Sequence, residues 1–137
     1  MNDLIRVRLS ADIQIPIDHA LQSCAERLTS VLDGFKLERD EDCRFDEYPA
    51  FIAEDFGVEI VLFGIPDDEP SDWYSLRVST AAKLSVPEWH TALAHTFLQP
   101  LLHRQPPPGA WRLDLSHELA HYLHDHGIPG CKAMPAA

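Results

Sequence analysis

The spacing of apolar residues predicts an α+β fold. It predicts a single domain with a mainly antiparallel sheet of four or five strands packed with three helices. Three observations carry this expectation. Ile5, Val7, Leu9, Ala11, Ile13, Ile15 and Ile17 share one parity with mostly polar residues between them, the two-residue period of a strand. Val58-Glu59-Ile60-Val61-Leu62-Phe63 is apolar on nearly every residue, as in a strand covered on both faces. It is answered by Trp73-Tyr74-Ser75-Leu76-Arg77-Val78, which alternates as a half-buried neighbour would. Three further stretches, opening near Leu21, Ser85 and Leu115, repeat apolar residues at helical spacing.

Taken in order, the first strand spans about 13 residues, longer than usual, so an interruption near Ser10 is expected. Asp18 can cap a first helix whose apolar stripe is Leu21, Cys24, Ala25, Leu28, Val31, Leu32 and Phe35, and Gly34 supplies a stop. Residues 36 to 53 are acidic. Phe35-Lys36-Leu37 and Cys43-Arg44-Phe45 suggest two short strands there, and Tyr48-Pro49 an extended or turn conformation. The pair at 58–63 and 73–78 then forms an antiparallel centre across the turn-like Pro66-Asp67-Asp68-Glu69-Pro70.

Ser85-Val86-Pro87-Glu88 has the form of a capping box with proline in the first turn. The stripe behind it is Trp89, Leu93, Phe97 and Leu101, and Pro100 should kink or end that helix. Pro106-Pro107-Pro108-Gly109 reads as a stiff spacer and Trp111-Arg112-Leu113 as a short strand. A third helix should run from about Leu115 to His126, capped by Asp114 or Ser116 and stopped by Gly127 and Pro129. The domain should therefore occupy 1–130, with 131–137 a flexible tail.

At 137 residues with 45% hydrophobic content, the chain can bury a core without a metal or a disulfide. There is no apolar run near the ~20 residues that span a bilayer and no apolar core behind a basic start, so neither a membrane segment nor a signal peptide is expected. Cys24, Cys43 and Cys131 are odd in number and widely spaced. They predict buried thiols in a reduced, cytoplasmic setting. No P-loop, G-x-G-x-x-G or G-x-S-x-G occurs.

The formal net charge is −11, and residues 38 to 72 hold 13 acidic against 2 basic side chains, so 13 − 2 = 11 accounts for all of it. So concentrated a negative field disfavours nucleic acid and anionic membranes and favours a basic protein partner. Asp40, Glu41 and Asp42 on one turn, and Asp67, Asp68, Glu69 and Asp72 on another, are the candidate binding residues. Trp73 beside them is a candidate aromatic anchor.

His117-Glu118-Leu119-Ala120-His121 fits H-E-x-x-H inside a predicted helix. Histidines four apart share a face and can both reach a zinc ion, while the glutamate can polarise a metal-bound water. On these residues the third helix resembles the zincin metallopeptidase signature. The resemblance implies His117 and His121 as zinc ligands and Glu118 as general base of a zinc-dependent hydrolase. A catalytic zinc also needs a third protein ligand. No Glu follows Glu118, and His124 and Gly127 occupy the offsets where metzincins place a Gly and a His, which leaves an upstream group such as Cys43.

The centre of the chain carries a second resemblance. Phe45-Asp46-Glu47-Tyr48-Pro49-Ala50-Phe51, Phe56-Gly57, Leu62-Phe63-Gly64-Ile65-Pro66, an acidic loop and Tyr74-Ser75-Leu76 together resemble small acidic immunity proteins of interbacterial toxin systems. That resemblance implies a cytoplasmic α+β protein that binds and neutralises one cognate toxin domain, often a basic nuclease, with no catalysis and no cofactor of its own. The zinc-dependent hydrolase is the alternative. An acidic secretion chaperone, which usually shows further strands between its later helices, ranks below both.

Overall fold

A computed structural model describes residues 5–42, 44–45, 48–65, 71–103 and 106–134. The strand of one parity runs unbroken as β1 (Arg6–Pro16), with Val7, Leu9, Ala11, Ile13 and Ile15 all buried. It is followed by α1 (Leu21–Val31), β2 (Glu38–Arg39), β3 (Ala50–Asp55), β4 (Val58–Phe63), β5 (Trp73–Thr80) and β6 (Leu84–Ser85). Then come α2 (Val86–Ala92), a 3-10 turn (Gln99–Leu101), β7 (Arg112–Asp114), α3 (Ser116–Asp125) and β8 (Lys132–Ala133).

The fold is α+β, and among the described residues it has three helices, as expected, but a sheet of eight strands rather than four or five. Its order is β2-β3-β4-β5-β1-β6, and β7 and β8 both pair with β1. Among the described residues every pairing is antiparallel except that of β7, which lies parallel to β1, so the sheet is mixed. The β4–β5 pair lies inside the sheet in antiparallel register, from Val58 opposite Thr80 to Phe63 opposite Ser75.

Several local expectations are corrected. β1 needs no break at Ser10 because it has partners nearly throughout: β6 at Arg6 and Val7, β7 at residues 8–10, and β5 at residues 10–16. The second edge element is Glu38–Arg39 rather than Phe35–Leu37. Of the strand expected at Cys43–Phe45, Arg44 and Phe45 lie in a turn and Cys43 is outside the described residues. The N-cap of α1 is Ala20, with no side-chain cap, rather than Asp18. The second helix ends at Ala92, well before Pro100, because His95 adopts φ +69° and the Thr96 hydroxyl donates to the Leu93 carbonyl at 2.7 Å. Its apolar stripe still reaches the core through turns, and Trp89, Leu93, Phe97 and Leu101 are all buried. The flexible tail expected from 131 onward instead pairs at Lys132 and Ala133 with Gln14 and Ile13. Residues 135–137 lie outside the described residues.

The three helices share one face of the sheet. Cys24, Ala25 and Leu28 of α1, Val86 and Trp89 of α2, and Leu119 and Leu123 of α3 join the inward residues of β1, β4 and β5 in one core. Trp89 locks it by donating its indole N–H to the Val7 carbonyl at 2.9 Å. Ala50 and Val61 are buried too, but on the opposite face and outside that core. The capping box at Ser85 and Glu88 is present in both directions, with bonds of 3.0 and 3.3 Å.

Candidate functional site

The sheet gathers the acidic segments at one end. Asp40 leaves β2 with its N–H on the Ala50 carbonyl, at 2.9 Å. Ala50 opens β3 and stands opposite Phe63, which closes β4, and Phe63 stands opposite Ser75 near the start of β5. The 40–49 and 64–72 connections therefore both join the sheet at this end, next to one another. One hydrogen bond fastens them. Gly64 donates its N–H to the Pro49 carbonyl at 2.7 Å. A Cβ on Gly64 would lie 2.8 Å from Pro49 Cγ and 2.7 Å from Leu21 Cδ2, so only glycine permits this approach.

The Asp40 carboxylate is half-buried and organises its own turn. It accepts from the Asp42 N–H at 3.1 Å and from the Arg44 N–H at 2.9 Å. Glu41 and Asp42 are exposed. Phe45 and Tyr48 then lie against Phe63, with ring centroids 4.8 and 6.2 Å away. At the other connection Asp72 is exposed and its carbonyl accepts from the Ile17 N–H at 3.1 Å. Trp73 is half-buried, and the Lys132 ammonium sits 5.3 Å from its ring centroid. Asp67, Asp68 and Glu69 lie outside the described residues.

Three carboxylates that sequence reasoning did not single out belong to the sheet. Glu54 and Glu59 stand opposite each other across β3 and β4, and Glu38 stands opposite Ile52. Like charges at directly opposed positions cost stability. Arg44 offsets part of this, its Nη2 3.0 Å from Glu59 Oε2. The signal for Glu59 was present in the sequence as the one polar residue in the apolar run 58–63. Glu54 could not be assigned to a face without recognising β3.

α3 places His117 and His121 on an exposed face, with Glu118 half-buried one step around the helix. His121 Nε2 lies 3.4 Å from Asp125 Oδ2, one turn on. Among the described residues, no group of three His, Cys, Asp or Glu side chains is placed to hold a metal ion. Cys43, the upstream ligand the sequence left open, lies outside the described residues. His124 and His126 are exposed as well, and His126 stacks on Tyr122 at 4.0 Å.

Cys24 and Cys131 are free thiols beside one another, near Arg27. Burial pushes both up to about 11, partly countered by the Arg27 charge. The Arg27 guanidinium is tied to the Gly127 carbonyl at 2.7 Å, which holds the chain after α3 over α1. Among the described residues, no helix is long and apolar enough to cross a membrane.

No protein-family model matches this chain, and searches of curated proteins and of solved structures return no match either.

Proposed function

We propose that this protein is an immunity-type binding protein that neutralises a cognate bacterial toxin domain through the acidic end of its sheet. The observation that supports this reading is the meeting of the 40–49 and 64–72 connections at one end of the sheet. They bring Asp40, Glu41, Asp42 and Asp72 to a common end, and the connection carrying Asp67, Asp68 and Glu69 starts and finishes there. Electrostatic steering onto a basic cleft needs such a local field rather than a diffuse one. Trp73 and Tyr48 offer aromatic surface beside the carboxylates. The function needs no cofactor, and its chemistry is the plugging of a cationic site by carboxylates on a scaffold with a single core.

The test is protection. Cells that express a basic toxin domain are given either the natural protein or a variant with Asp67→Lys, Asp68→Lys and Glu69→Lys. A second variant carries Glu41→Lys and Asp42→Lys. The expected result is loss of protection and at least a hundredfold loss of affinity by calorimetry, with a melting temperature no lower than that of the natural protein. Asp40 is left intact because it holds its turn. Full protection by both variants would remove the acidic end as the interface.

A further inference from the structure

The face of the sheet turned away from the helices is divided by charge. Register puts Glu38, Ile52, Val61, Arg77 and Asp12 in one row across it, and Glu54, Glu59, Ser79, Ser10 and Asp114 in the next. The β2–β4 side thus carries Glu38, Glu54 and Glu59. The β1 side carries Arg6, Arg8, Arg112 and Lys132, with Arg8 and Arg112 neighbours on the parallel ladder. Between them lies a strip of Ser10, Ser75 and Ser79, together with Arg77 and Asp12, which neutralise each other at 3.2 Å. Arg44 takes part of the charge of Glu59, and Asp114 is engaged by the Ser116 N–H at 2.9 Å. Lys36 reaches Glu38 only at 4.0 Å, with both side chains exposed. Among the described residues, no carboxylate is within ion-pair distance of Arg8, Arg112 or Lys132, while the charge of Arg6 is felt by Glu88 at the start of α2. Setting Arg8 beside Arg112 and Glu54 beside Glu59 costs the lone chain stability.

We infer that this face receives a second copy of the same chain. A twofold axis lying in the interface and running along the strands turns the acidic side of one copy over the cationic side of the other. It does so twice, so the contact closes as a dimer. The serine strip lets two sheets approach to the ~10 Å of face-to-face packing. Five inter-strand gaps of ~4.8 Å and six residues of ~3.3 Å give a footprint of roughly 480 Å² per copy. That is below the ~800 Å² of a standard stable interface, so the dimer is weak and held largely by charge. Trp111, 54% exposed, stands at the cationic rim with Arg112 5.5 Å and Lys83 6.0 Å from its ring, an aromatic contact for the partner copy. Asp40, Glu41, Asp42 and Asp72 belong to the strand ends rather than to this face; of the proposed toxin-binding groups, Trp73 shares the face and Tyr48 packs on its Phe63, at the end away from Arg8 and Arg112.

Sedimentation velocity on the full chain tests it. At about 20 mM salt the average mass should rise with concentration towards that of a dimer, and at about 0.5 M it should return to the monomer. Arg8→Glu with Arg112→Glu should abolish the dimer, as should Glu38→Lys with Glu54→Lys. An equimolar mixture of these two variants should restore it, because their reversed charges complement each other. If either double variant fails to fold, Arg112→Glu and Glu54→Lys alone carry the same test. A natural protein that stays monomeric at low salt, a dimer indifferent to both reversals, or a mixture that does not associate would each overturn the inference.

Discussion

Asp40 holds its turn and adds to the acidic surface at once. Its carboxylate bonds the Asp42 and Arg44 amides, so it fixes the turn that presents Glu41 and Asp42. Asp40→Ala should cost about 1 kcal/mol, the net worth of such bonds, and should speed hydrogen exchange at the Asp42 and Arg44 amides. Asp40→Asn keeps an acceptor and should recover most of both losses. Equal exchange in the two variants would show that the charge, rather than the bonds, orders the turn. The thiols give a second residue-scale expectation. Burial holds Cys24 and Cys131 up to about 11, so both are protonated at neutral pH and should react slowly with a disulfide reagent until the chain unfolds. Their folded values lie above the ordinary 9, so the native state keeps protons that the unfolded state has lost. Stability should fall as pH rises from about 9 towards 11. Denaturant midpoints across that range check the sign, and a double Cys→Ser variant should flatten this part of the profile.

At the scale of elements, what the sequence reveals depends on whether an element carries its own pattern. β1, β4 and β5 alternate or run apolar over six or more residues, and each is where its parity puts it. β2, β6 and β8 are two residues each and exist because a neighbouring strand presents unpaired amides, so no local pattern announces them. β3 was hidden behind its acidic neighbours. Its clue was the turn Phe56-Gly57, where both residues take positive φ (54° and 76°) to make the tight hairpin from Asp55 to Val58. The acidic charge was legible, but the meeting of its two segments required the pairing of β3 with β4 and β2. The start of α1 shows what a missing local signal costs. Ala20 has the extended backbone of an N-cap, φ −57° and ψ 154°, but no side chain to accept the free amides. Ala20→Ser should stabilise the fold by about 0.5–1 kcal/mol. Thermal unfolding reads this as a rise in melting temperature, and no rise would mean that solvent already satisfies those amides equally well. The capping box of α2 gives the opposite case. The Ser85 N–H and hydroxyl hold the Glu88 carboxyl below its usual range. A depressed folded value adds stability above the unfolded value near 4.5 that is lost as pH falls through the folded one, and Glu88→Gln should remove that acid-side dependence.

For the whole molecule, the decisive feature is that all of the excess charge comes from residues 38–72, while the rest of the chain balances nine acids with nine bases. Within that segment the fold opposes Glu54 to Glu59 and brings two acidic connections to one end, so the monomer carries self-repulsion that nothing in its core requires. Salt should therefore act in opposite directions on folding and on binding. From about 10 mM to 150 mM the screening length shrinks from about 30 Å to 8 Å. In the dilute monomer, repulsion within the folded chain should weaken and the melting temperature rise. Over the same range the attraction to a basic toxin domain should weaken, with the loss mainly in the association rate. Scanning calorimetry and stopped-flow association on the same preparation read the two slopes. Replacing Asp67, Asp68 and Glu69 by Lys should reduce both together, because one set of charges produces them. A stability slope that survived the replacement while the binding slope vanished would place the repulsion elsewhere, at Glu54 and Glu59 on the sheet, and would separate the charges that strain the fold from those that find the partner.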